Sequence, residues 1–561
     1  ITQAQFDSLI QLPMDIKYGK KEEVTGEAPY FRNILLSELD DILKEKNPET
    51  GELIRPRGDA ETYNVYMDGL KIFTTLNSTM QKYAEKAVKR NMAELQKVFD
   101  RDLKNCRNYP FSNKISTPQA KTIIEKEKKK SVRYRLLTGK ICTNCGRGED
   151  FMDVTTENGQ EYFVCEYCGT KTRKVPKDSI NIIFNTPVKM TVFSWDGEEK
   201  EVTLSPLDSI KYYKSLLHAG FFSLDPKNGF VKAWVGGINH KYFKYDHVKQ
   251  SRRQVGSTFK PILYYAALEA GQYDPCEEVV NMPCTFHEGE CGVSKKWSPS
   301  YSPRFEGSVN FKFGLAGSMN NIAALLMKRM CKRGPGIEYV IKTAKKMGIS
   351  APMDPTVSLA LGVADISLLE MVNAYATLAN YGVWVKPVFI TRIENKDGNV
   401  IYSYKPVSEK RLRPEIAFAV LQMMKGTVDG EYDKEYGKST GTARRLRFKY
   451  YFKNPIAAKT GTTQGNSDGW FIGIVPDLVS GAWVGAEDRR VHFSTTRLGQ
   501  GANTSLPIWA YYMLQIQANP ALGISTKDFE PPPEGAGIEM DCSKKQVTED
   551  PVNDWNDEFG L

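Results

Sequence analysis

The chain has 561 residues, 41% of them hydrophobic and 25% charged, with 76 Lys and Arg against 67 Asp and Glu for a net charge of +9. That length suggests roughly three domains, and the apolar share is enough for real cores. A charge so dilute implies a solvated surface and no nucleic-acid partner; no run approaches the ~18–20 consecutive apolar residues of a membrane span, and no secretory leader is visible.

Taken in chain order, residues 1–60 read as a polar connector, with Asn47-Pro-Glu-Thr-Gly51 as a turn. Alternation over 69–77 predicts a strand, and Ser78 is expected to cap a long helix from Thr79 to about Leu103. A second, highly charged helix is expected over 121–137, inside a region that runs from 61 to 138. At the far end, residues 526–561, with Pro531-Pro-Pro533 and Glu549-Asp550, read as an extended or disordered tail. No internal repeat is visible.

Residues 139–176 hold Cys142-Thr-Asn-Cys145-Gly and Cys165-Glu-Tyr-Cys168-Gly. Two Cys-x-x-Cys knuckles at this separation fit a zinc ribbon, in which four thiolates wrap one tetrahedral ion and a strand over 161–164 forms part of the hairpin between them. Paired disulfides are the alternative in an exported protein. Zinc is favoured because both glycines suit knuckle turns. Arg147, Lys171, Arg173 and Lys174 surround the module and hint at a partner surface. Of the remaining cysteines, Cys284 and Cys291 lie in one polar loop, where pairing and free thiols are equally open; Cys106, Cys276, Cys331 and Cys542 show no pattern. His240 and His247 lack metal spacing, and no Ser-His-Asp triad is arguable.

The segment 177–525 carries the chemistry. Ser257-Thr-Phe-Lys260 opens an apolar run that reads as a buried helix ending at Gly271. A serine hydroxyl needs a base within reach, and a lysine desolvated one turn away can lose its proton and serve. Alone, the tetrad would more often be an N-capping serine with a surface lysine. Ser318-Met-Asn320 is a short polar break between apolar stretches: a second serine for proton relay, with an amide to hold a peptide group. Alone it would be a helix N-cap. Lys459-Thr460-Gly461-Thr462 begins a set of three strands over 455–463, 469–475 and 478–485. Lys459 would offer positive charge to a carboxylate, Thr460 and Thr462 hydroxyl donors, and Gly461 close approach of a substrate backbone. The Thr462 and Ser257 amides would flank an oxyanion. A bare Lys-Thr-Gly would be an edge strand protected by its lysine.

The order Ser-x-x-Lys, Ser-x-Asn, Lys-Thr-Gly resembles a class A penicillin-binding protein. The likeness extends through Arg253-Gln-Val-Gly-Ser-Thr-Phe-Lys-Pro261, Leu506-Pro-Ile-Trp509 and the runs 219–237 and 360–377, and covers about 60–520. Ala458 departs from the usual glycine. The resemblance implies an α+β penicillin-binding, β-lactamase-like transpeptidase fold, with an antiparallel five-stranded sheet flanked by helices over 177–525. It implies a linker or pedestal at 61–138, a zinc-ribbon-like insert outside the general family pattern, and Ile1–Pro13 as the tail of a glycosyltransferase domain whose active site the chain lacks. It further implies D,D-transpeptidation of peptidoglycan stem peptides through an acyl-enzyme on Ser257, acylation by β-lactam antibiotics, and catalysis without a cofactor. The expected location is the periplasmic face of the cytoplasmic membrane, through an N-terminal anchor outside this chain, with cell-wall synthesis proteins as possible partners. A β-lactam-sensing receptor and a hydrolytic D,D-carboxypeptidase or β-lactamase are the competing readings; the multidomain setting and the missing glutamate-bearing deacylation motif argue against a lactamase.

Overall fold

A computed structural model describes residues 26–58, 61–300, 307–433, 437–533, 535 and 537–544. Ile1–Pro13 and Glu549-Asp550 lie outside them. The stretch expected as a polar connector contains helix α1 (Pro29–Leu43), whose Tyr30, Phe31, Ile34, Leu39 and Leu43 are buried. These residues recur at helical spacing, so one face is apolar. Phe31 packs on Trp234 and Phe389 at centroid distances of 6.3 and 6.1 Å, and burying each such side chain is worth roughly 1.5–3 kcal/mol. Strand β1 (Lys71–Thr74) follows where alternation predicts it. The cap of α2 (Ser78–Leu103) is Asn77, not Ser78: its side chain accepts the Met80 amide at 3.0 Å. The charged stretch expected as one helix over 121–137 is two, α3 (Thr117–Lys130) and α4 (Val132–Leu137), broken at Ser131, whose hydroxyl accepts the Tyr134 amide. An extended serine that caps the next helix ends the previous one.

The cysteine-rich segment folds as strands β2 (Met152–Glu157), β3 (Gln160–Cys165) and β4 (Lys171–Arg173), antiparallel in that order. Beyond it come β5 (Leu217–Leu224), β6 (Val231–Val235) and helices α5 (Lys260–Glu269), α6 (Phe311–Ala316), α7 (Asn320–Lys332), α8 (Leu368–Ala379) and α9 (Pro414–Asp429). Strands β7 (Ala457–Thr462), β8 (Asp468–Val475) and β9 (Leu478–Ala486) and helix α10 (Leu506–Gln517) complete the domain. The order β7-β8-β9-β5-β6 makes one five-stranded antiparallel sheet, as the α+β expectation requires.

Every residue of β5, β8 and β9 is buried. Such strands are apolar on both faces only if both faces are covered, and they are. Phe222, Trp234, Ile472 and Val479 join α5, α7, α8 and α9 in one core. Phe221, Phe471, Ala482 and Val484 join α2 and α10 in the other. Ala458 belongs to that second core, so its methyl group lies away from the nucleophile. The tail from 526 is extended but anchored through its described part: Phe529 is buried, Tyr381 donates to the Glu530 carbonyl, and Cys542 is disulfide-bonded to Cys276. Cys284 and Cys291 are not joined by a disulfide; Cys291 lies against Cys331 on α7.

Candidate active site

The chain enters the site on a 3-10 turn, Gly256–Phe259, that runs directly into α5. In that geometry residues three apart eclipse, which stacks Ser257 over Lys260. Gly256 has φ +54°, and a Cβ there would lie 2.9 Å from the Thr462 carbonyl oxygen. The backbones of the nucleophile arm and of β7 are thus in contact, and only glycine fits. Ser257 stays half-buried, whereas Lys260 has no exposed surface.

Lys260 reaches under the site to the Ser-x-Asn turn. Its Nζ donates to the Ser318 carbonyl at 2.7 Å and to Asn320 Oδ1 at 2.9 Å, with Ser318 Oγ at 3.4 Å. None of its hydrogen bonds among the described residues goes to Ser257. From the other side, Lys459 Nζ donates to Ser318 Oγ at 2.8 Å. Ser318 is therefore no helix cap: it takes a left-handed φ of +55° just before α7, and its hydroxyl receives two buried lysines. Strain of this kind, of order 1–3 kcal/mol, persists where the surroundings enforce it. Burial lowers the proton affinity of both lysines. Lys260 is pushed well below the usual ammonium range, by desolvation first and by the Lys459 charge second; Lys459 is pushed down to about 7 by desolvation.

Strand β7 is an edge of the sheet, but Lys459 is fully buried and so does not serve to block that edge. The glycine at 461 also has a packing reason. A Cβ there would come within 2.9 Å of Val255 O and of the Thr258 side chain, so its bare α-carbon lets β7 lie on the nucleophile arm. Thr460 Oγ1 donates to Thr442 Oγ1 at 2.7 Å, and Thr462 Oγ1 accepts the Gly501 amide at 3.1 Å. Asn320 Nδ2 donates to Ser300 Oγ at 3.2 Å. Thr442 and Arg444, in the turn before α-helical residues Arg445–Phe448, were not singled out by motif; a hydroxyl- and glycine-rich Ser439-Thr-Gly-Thr442 was the available signal.

A buried ion pair locks this arrangement. Arg253, four residues before Ser257, donates Nε to Asp468 Oδ1 at 2.6 Å and its Nη atoms to the Ala486 and Glu487 carbonyls at 3.1 Å. Asp468 also accepts from Trp483 Nε1 at 3.0 Å and Ser467 Oγ at 2.7 Å. Every oxygen of the carboxylate is thus satisfied, which is what a buried charge demands. His247 is buried and stacked on Trp483; His240 is buried beside Tyr30.

Cys142, Cys145, Cys165 and Cys168 converge, with all four sulfur atoms within 4.8 Å of one another. Cys142 and Cys168 stand 3.5 Å apart and Cys145 and Cys165 3.6 Å. Zn–S bonds of about 2.3 Å imply tetrahedral edges of about 3.8 Å, so the donor set fits a zinc ion.

Residues 219–485 match the penicillin binding protein transpeptidase domain, and residues 151–217 the penicillin-binding protein middle domain. The second match runs through β2, β3 and β4, so part of the cysteine hairpin, expected outside the family pattern, lies within a family domain. Penicillin-binding protein 1A of Aquifex aeolicus (strain VF5) is 27% identical over 545 residues, 96% of this chain and 63% of its own length. Penicillin-binding protein 2D of Bacillus subtilis (strain 168) is 32% identical over 328 residues, 58% of this chain and 44% of its own. The chain spans about half the length of the curated relatives it matches. The crystal structure of penicillin-binding protein 1A from Haemophilus influenzae has the same fold, with a TM-score of 0.59 at 22% identity over 92% of this chain and 74% of that one.

Proposed function

The chain belongs to the class A penicillin-binding proteins and carries their transpeptidase portion, and on that premise we propose that it is a serine D,D-transpeptidase that cross-links peptidoglycan stem peptides and is acylated by β-lactams. The observation that carries the reading is the convergence of two fully buried lysines on one serine hydroxyl. A neutral amine has two N–H donors. The Ser318 carbonyl and Asn320 Oδ1 take both from Lys260, which leaves its lone pair for the Ser257 proton. Ser257 then attacks the carbonyl between two terminal D-alanines, and the Ser257 and Thr462 amides hold the oxyanion. Lys459, Thr460 and Thr462 bind the terminal carboxylate. Ser318 passes the proton to the leaving amine, and Asn320 holds a substrate peptide group. An amine of a neighbouring stem takes the acyl group.

No catalytic step uses a cofactor in this scheme. Zinc held by Cys142, Cys145, Cys165 and Cys168 would be structural, since four thiolates close its coordination sphere. Action on wall peptides places the domain on the periplasmic face of the membrane, with wall-synthesis proteins as partners. Among the described residues no helix is long and apolar enough to cross a membrane.

Intact mass after exposure to penicillin, followed by a stem peptide with an amine acceptor, tests the proposal. The expected result is one drug adduct on Ser257, none in Ser257→Ala, and a new peptide bond in the second assay. An adduct on another serine overturns the assignment of Ser257, and exclusive hydrolysis of the stem peptide points to a carboxypeptidase.

A further inference from the structure

One buried lysine takes no part in the cleft. Lys328, on α7 beyond Asn320, is 1% exposed. Its Nζ donates to the Thr285 carbonyl at 2.7 Å and pairs with Glu290 at 3.4 Å, which pins the short turn Glu290–Gly292 against the helix. Residues three apart share a helix face. The anchor that holds Glu290 at Lys328 therefore brings the next residue, Cys291, to Cys331, one turn farther along α7. Both cysteines pack at the rim of the same apolar core, both are half-buried, and neither is in a disulfide. Cys291 also takes a left-handed φ of +50°, uncommon for such a side chain, and strain of this kind persists where the surroundings enforce a position. The two thiols are not equivalent. The hydrogen bond from Cys331 holds the Cys291 thiol below the usual range, with the Lys328 charge adding to it against burial and Glu290; the same hydrogen bond, with burial, pushes Cys331 up. An acidic thiol beside a less acidic one suits an attacking and a resolving cysteine.

We propose that Cys291 and Cys331 form a thiol–disulfide exchange site that takes a small-molecule disulfide as oxidant and closes a second disulfide bond, between the loop over 281–300 and the far end of α7. The inference does not depend on the reaction at Ser257. The chain already carries the Cys276–Cys542 bond, and disulfides persist where the surroundings are oxidising. The Cys291 thiolate attacks one sulfur of the oxidant, breaks its S–S bond and releases one of its halves as a thiolate. Cys331, deprotonated in turn, attacks Cys291 Sγ and displaces the other half. The protein pair is oxidised, the small disulfide is reduced, and the two protein protons end on the two released thiols. The new bond ties the loop that carries Ser300, the partner of Asn320 Nδ2, to the helix that begins at Asn320. The ring it closes contains Ser318.

The experiment treats the full chain with oxidised glutathione, blocks the remaining thiols, and maps the unreduced peptides by mass. The expected product is a linked Cys291–Cys331 pair. In Cys331→Ser the exchange should stop halfway, with glutathione held on Cys291. Cys291→Ser lacks the attacking thiol, so its Cys331 should capture glutathione more slowly, by about fivefold or more. A wild type in which both thiols stay free, or in which either pairs with Cys284 or another cysteine, overturns the site, and this mapping decides it whether or not the variants fold. Equal capture of glutathione by the two variants overturns the roles assigned to the two thiols.

Discussion

Two sites in this chain hold demanding side chains in register, and they do it by opposite means. In the cleft, Lys260 and Lys459 sit without exposed surface between two apolar cores, and the Arg253–Asp468 pair ties the nucleophile arm to the sheet. In the hairpin, Phe163 is the one large apolar side chain that is buried between 139 and 176, while Val154 and Tyr167 are exposed. What order it has comes from the four converging cysteines and from cations on rings, as where Arg147 lies 3.6 Å from the Tyr167 centroid. A large domain can meet the cost of desolvating a lysine; a segment without a core needs a cross-link. Charges stripped of water belong to the cleft, and the hairpin in place of a core brings four cysteine sulfurs together.

The comparison breaks most sharply at Lys260. Lys260→Ala removes the proposed general base, and covalent labelling by penicillin should slow by ~10²–10⁴-fold. Single-turnover labelling measures it, and a rate within a factor of three of wild type would remove Lys260 from the mechanism. Arg253→Ala touches no reacting atom but leaves Asp468 charged and buried without its partner. The domain should lose about 3–5 kcal/mol of stability, read by denaturant unfolding, whereas the hairpin offers no position where a lost charge costs as much.

A pH profile sharpens the same contrast. Burial pushes Lys459 down to about 7, and the proposed carboxylate binding needs its cation. Acylation per unit of penicillin should therefore fall as pH rises through about 7, approaching tenfold per further pH unit. A rate flat from pH 7 to 9 would show that Lys459 keeps its proton or is not needed. The smallest effect expected is that of chelation on acylation. Elemental analysis should find about one zinc per chain, and its removal should expose the hairpin to protease while labelling of Ser257 stays within about twofold. Metal-free protein with two disulfides would refute the zinc site, and lost labelling would refute its independence from the cleft.

Much of the site was legible in the chain because its chemistry is written in short local patterns. Ser257 and Lys260 lie one 3-10 turn apart, Ser318 and Asn320 flank one residue, and Lys459–Thr462 is one strand end. What was not legible is contact between segments distant in sequence. Lys260 pairs with Ser318 and Asn320 rather than Ser257, Thr442 meets Thr460, and Arg444 completes a cavity begun at Ser318. Cys276 joins Cys542 across 266 residues, where no spacing rule reaches.

The sequence by itself determined the elements with strong periodicity or firm punctuation: the apolar strands β7, β8 and β9, the buried helix α5 stopped near Gly271, and the two cysteine knuckles. It reads the stretch that forms α1 as a polar connector, and its burial is decided elsewhere, because an apolar stripe states that something will cover it and not what. Only the tertiary structure decided that Gly461 clears the nucleophile arm and that both lysines are stripped of water. Close approach and desolvation are properties of surroundings, and those surroundings are assembled from the whole length of the chain.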